Sequence, residues 1–122
     1  MFKKLCYFLP FALFAISCKH EVVIPDKPSI SFSSDVLPVI VGNCTESGCH
    51  GKANSKRFPL LTYDDVIKHG GISAGNANSS KLFQTLTARS FAKVMPPSPK
   101  TALSDQQIVT IYLWIMQGAK DN

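Results

Sequence analysis

The stretch Cys44-Thr45-Glu46-Ser47-Gly48-Cys49-His50 decides how the rest of the chain is read, because only here do two cysteines and a histidine stand together. Each residue type brings its own chemistry. Two thiols can add across the two vinyl groups of a porphyrin, and an imidazole directly after the second thiol is held close to the metal at the ring centre. One short segment thus fixes the macrocycle and supplies one axial ligand, leaving the other side of the iron to a distant residue. C-x-x-C-H is the usual spacing for such covalent attachment. Here the spacing is C-x4-C-H, two residues longer. The extra residues must bulge without displacing either sulfur, and Gly48, free to adopt a positive φ, stands where a tight turn would serve. We read Cys44 and Cys49 as the attachment points of one covalently bound haem c, with His50 as an iron ligand.

The same residues admit other readings. In an oxidising compartment Cys44 and Cys49 would form a small-loop disulfide. Structural zinc would need His50 and a fourth ligand such as His69, but a second ligand pair at zinc-finger spacing is missing. Free thiols are the third alternative. Haem is favoured by the downstream stretch Met95-Pro96-Pro97-Ser98-Pro99-Lys100. Prolines fix φ and deprive the unfolded chain of conformations, so a loop presenting a thioether is held stiff without secondary structure. Met95, in a polar stretch rather than on a helical face, is therefore the candidate for the sixth iron position. Met116, on the last helix, reads as core filler. His69 reads as a helix C-terminal group, with a bis-histidine ligand role as its alternative.

The chain has 122 residues and is 45% hydrophobic, enough for one small domain once a leader is removed. Residues 1–17 read as a lipoprotein signal peptide: Lys3 and Lys4 form a positive start, and Leu5 to Ile16 is an apolar run too short to serve comfortably as a mature membrane anchor. It ends in Ala15-Ile16-Ser17-Cys18, which resembles a bacterial lipobox. Cys18 is then the lipidated first residue of the mature protein, and acyl chains at about 0.8 kcal/mol per buried methylene hold it to a membrane. An uncleaved anchor and an ordinary secretory signal are the alternatives, and all three place the domain outside the cytoplasm, on the periplasmic side. Lys19 rather than an aspartate after Cys18 favours the outer membrane. Residues 18–32 carry two prolines, mixed charge and no sustained period, and read as a lipidated tether, with the domain proper at 33–122.

The formal charge is +5, of which Lys3 and Lys4 account for two, so the remainder carries about +3. Its basic residues are scattered, with no basic helix interleaved with aromatics, which argues against nucleic acid and suits an acidic redox partner.

Helices are expected at four places. Ser33-Ser34-Asp35 opens a helix over Val36 to Gly42, with Pro38 in its first turn and Gly42-Asn43 as its stop. Thr62 caps a short helix stopped by Gly70. Ser79-Ser80 opens another with Leu82, Phe83 and Leu86 facing inward. Ser104 caps the last and clearest one, where Ile108, Val109, Ile111, Tyr112, Leu113, Ile115 and Met116 form a wide apolar surface before Gly118.

Taken together, an N-terminal helix running into Cys44 to His50, then Met95-Pro96-Pro97, then a closing helix ending Trp114-Ile115-Met116-Gln117-Gly118-Ala119, resemble the small class I c-type cytochromes over roughly residues 33 to 120. The stretch Val36-Leu37-Pro38-Val39-Ile40 before the C-x4-C-H site and the Gly-rich segment before Ser79-Ser80-Lys81-Leu82 are similar to lipoprotein cytochrome domains of the Bacteroidetes and planctomycete type. The resemblance implies an all-α, class I cytochrome c-like fold of three to five helices around one haem. It implies thioether links at Cys44 and Cys49, a proximal ligand at His50 and a distal ligand at Met95. It also implies contact between the terminal helices, Val36 and Ile40 against Val109 and Tyr112. The expected function is one-electron transfer between periplasmic or membrane redox proteins. No enzyme activity and no small-molecule substrate are expected, since both axial positions are filled and no general base or nucleophile stands beside the site. The rival functions are a non-redox exported lipoprotein with a Cys44–Cys49 disulfide, and a haem-based sensor in which a gas displaces Met95.

Overall fold

The computed structural model describes residues 23–24, 28–52, 57–90 and 93–122; the leader with Cys18 lies outside the described residues. Among the described residues every regular element is helical. A wide turn, Phe32–Val36, runs directly into α1 (Leu37–Cys44); α2 (Tyr63–His69), a 3-10 turn (Ala77–Ser79), α3 (Lys81–Leu86) and α4 (Asp105–Met116) follow. The four α-helices fall within the expected all-α architecture.

The helix ends follow from local chemistry. In α4, Ser104 Oγ accepts from the Gln107 N–H while the Gln107 side chain accepts from the Ser104 N–H, a reciprocal cap on two otherwise orphaned donors. At the other end Gly118 takes a φ of 101°, so that its N–H reaches the Ile115 carbonyl and the Ala119 N–H reaches the Trp114 carbonyl. This Schellman turn also buries Ala119 against the helix. Gly70 closes α2 for a different reason: its φ is ordinary, but a Cβ there would lie 2.4 Å from the Val66 carbonyl oxygen.

Asp65 completes the equivalent cap on α2. Its carboxylate accepts from the N–H groups of Leu61 and Thr62, and its own N–H donates to Thr62 Oγ1. Partial burial pushes this carboxyl up, but the two N–H groups and the Thr62 hydroxyl, with an attraction from His69, hold it below its ordinary value of 3.8. A carboxyl whose folded value lies below its unfolded value stabilises the fold above the unfolded value and loses that contribution as pH falls through the folded one. Asp65→Asn is therefore expected to cost about 0.3–1 kcal/mol at neutral pH. Denaturant titrations at descending pH should show the gap from wild type closing below about pH 3.8; a gap that persists in acid contradicts this account.

The core gathers around Trp114, 1% exposed, with Ile111 and Ile115 beside it on α4. The Phe32 ring lies 5.4 Å from Trp114 and 5.2 Å from Tyr63, so the entry turn, α2 and α4 meet in one aromatic cluster. Three sequence expectations shift here. The packing begins earlier than Ser33, since Phe32 is buried, Ile30 packs against the core, and the helix start is capped by Ser31 instead. Helix α1 does not stop at Gly42-Asn43 but continues to Cys44: the Thr45 side chain donates to the Val41 carbonyl in its last turn, and the Asn43 side chain folds back to the Val39 carbonyl. The terminal elements do meet, but not through Val109. Val109 is exposed and Tyr112 packs on Phe83 of α3, whereas Phe32 meets Trp114. On a helix of 3.6 residues per turn, the stripe through Ile111, Trp114 and Ile115 leaves Val109 on the outside.

Candidate functional site

The two halves of the attachment motif are held by different elements. Cys44 is the last residue of α1, while Cys49 and His50 belong to the turn that follows. That turn is closed by the Cys49 N–H donating to the Glu46 carbonyl and the His50 N–H donating to the Cys44 carbonyl, each at 2.9 Å. Gly48 sits at φ +80°, the conformation the longer spacing demands. Gly51 then passes so close that a Cβ would meet the Thr45 carbonyl oxygen at 2.6 Å. The two extra residues are thereby absorbed in a compact turn.

The His50 ring is oriented by a hydrogen bond, its Nδ1 lying 2.9 Å from the Phe58 carbonyl oxygen. A carbonyl can only accept, so Nδ1 carries the proton and the neutral imidazole keeps its free lone pair on Nε2. A ring nitrogen fixed this way is the arrangement by which protein backbones orient metal-binding histidines. Pro59 follows Phe58 and biases it toward extended backbone. The Phe58 ring lies 4.6 Å from His50 and stacks on His69 at 4.9 Å and 13°. His69 does occupy the last turn of α2, as expected, with its ring on that of Phe58.

Met95 is half-buried, and its loop is fastened to α3 by the Met95 N–H donating to the Thr85 carbonyl at 2.9 Å. Met95, Cys44 and His50 all line a cleft with two chambers, with Arg57 on the wall of both. Cys49, Pro96 and Pro97 line the smaller chamber; Phe58, Leu60, His69, Leu82 and Leu86 line the larger. The cleft thus brings together all four sequence-predicted residues, although Met95 is forty-five positions from His50.

Neither Cys44 nor Cys49 is in a disulfide. Burial, with the neighbouring Cys49 adding to it, pushes the Cys44 thiol up to about 11, so at neutral pH it keeps its proton. Among the described residues no three His, Cys, Asp or Glu side chains converge to hold a metal ion, so the zinc arrangement with His69 is not formed. No described helix is long and apolar enough to cross a membrane.

No family model, curated protein or solved structure matches the chain.

Sequence reasoning missed the walls. Leu82 and Leu86 were legible only as inward-facing helix positions, Leu60 carried no signal, and Arg57, Lys81 and Lys100 counted only among scattered charges; the structure sets all six around one cleft. The Phe58 carbonyl was missed because a backbone acceptor leaves no residue-type signature.

Proposed function

We propose that this chain is a single-haem c-type cytochrome of the small class I kind, an electron carrier rather than an enzyme. The observation that carries this reading is the His50 ring, held at Nδ1 by the Phe58 carbonyl with Nε2 left as the donor, in an apolar cleft that also receives Cys44, Cys49 and Met95. The residues fit the group in kind and in surroundings. Two thiols would hold it through thioether bonds, His50 and Met95 are a nitrogen and a soft sulfur donor for its iron, and leucine and proline side chains exclude water. Bound haem c would supply an iron that cycles between ferric and ferrous. Methionine favours the reduced state, so the His50 and Met95 pair raises the potential relative to two histidines.

Arg57, Lys81 and Lys100 on the cleft wall favour an acidic redox protein as partner. Lipidation at Cys18 would tether the domain on the periplasmic side of a membrane, by preference the outer one.

A covalent-haem stain on a denaturing gel and a reduced-minus-oxidised spectrum test the reading directly. Exported protein whose mass is that of polypeptide and lipid alone ends it. Met95→Ala is expected to retain the covalent haem, to lower the midpoint potential and to bind carbon monoxide stoichiometrically when reduced, where wild type binds none. Carbon monoxide binding by wild type with the fold retained points to a gas sensor instead.

A further inference from the structure

One residue of the lengthened attachment loop has a charged partner beyond Met95. Glu46, between the cysteines, forms an ion pair with Lys100, five positions beyond Met95. Both ends are fastened to structured backbone. The Glu46 carbonyl accepts from the Cys49 N–H, and the Lys100 N–H donates to the Pro97 carbonyl at 3.0 Å. Lys100 also shares the wall of the smaller chamber with Gly48, Cys49 and Met95. The Met95 loop's own tether, through Thr85, runs to α3.

We propose that Glu46–Lys100 is a latch across the cleft mouth that holds the Met95 loop against the attachment turn, so that the longer C-x4-C-H spacing supplies a positioning residue as well as a bulge. The inference rests on the haem reading. Were Met95 to hold the iron, the ion pair would oppose any displacement in which the loop moves away from Glu46, and would lower the apparent affinity of a ligand that competes in that way. The side chains are 41% and 55% exposed, which confines the effect to that of a surface pair. Such pairs contribute about 0.2–1 kcal/mol, a change of up to about five-fold in an equilibrium constant.

The test is a spectroscopic titration of the oxidised, haem-loaded protein with free imidazole, which competes for the Met95 position. At low salt, E46Q and K100Q should each be half-displaced at an imidazole concentration about two- to five-fold below wild type. The double variant should be no worse than either single one, because both remove the same contact. The charge-swapped pair E46K/K100E should recover most of the wild-type value, and the differences should vanish near 1 M salt, where screening reaches about 3 Å. Attached haem with unchanged titrations in the single variants, or additive losses in the double, overturns the latch while leaving the proposed function standing. Absence of covalent haem from wild type overturns both.

Discussion

Replacing Cys44 and Cys49 together by alanine should abolish covalent haem and also remove the cooperative thermal transition. The second effect follows from how little the helices can do alone. Helix α2 has seven residues and α3 six, below the roughly 12–15 at which isolated helices become even marginal in water. A domain of this size buries too little apolar surface to tolerate a large gap, and small scaffolds generally need a staple. The cleft is such a gap: Leu60, ahead of α2, and Leu82 and Leu86 of α3 border it from two segments, and each forgoes contacts on that side unless something occupies it. Circular dichroism melting of the double variant, beside a haem stain, measures both outcomes. A native-like sigmoidal melt in protein without haem would sink the claim that haem acts as the staple.

Trp114→Ala should cost about 3–5 kcal/mol, a large share of the roughly 5–15 kcal/mol that holds a typical domain together. Trp114 is 1% exposed and is the largest fully buried side chain. Its ring lies against Phe32 from the entry turn and edge-on to Tyr63 from α2, and its Nε1–H donates to the Lys120 carbonyl at 2.9 Å. Truncation therefore opens a cavity bordered by three elements that cannot collapse independently. Trp114→Phe keeps most of the apolar contact and loses chiefly the hydrogen bond, for which about 0.5–1.5 kcal/mol is expected. Urea unfolding of the two variants separates these contributions. Equal losses would mean that the indole N–H, not the packing, dominates.

Much of this was legible one residue at a time. Thr62 and Ser104 announced their helices because an N-cap is a local transaction between a side chain and an N–H group three residues on, and Gly118 announced an end because only a left-handed turn follows there. The register of contacts was harder. Val109 looks as apolar as Ile111, and only packing decides that one faces solvent and the other the core. The same holds for Gly42, which reads as a stop until the Asn43 and Thr45 side chains are seen to fold back on the Val39 and Val41 carbonyls before it.

The sequence by itself determined which elements form and which donors exist: two thiols, an imidazole and a thioether at 44, 49, 50 and 95, each marked by residue type and by neighbours along the chain. Tertiary structure alone decided that these four line one cleft, that the Phe58 carbonyl orients His50, and that Glu46 reaches Lys100. Capping and turn chemistry act over three or four residues and leave a trace in the chain order. Side-chain encounters across forty or fifty residues are fixed by how helices pack, and packing depends on shape and volume that no short stretch encodes.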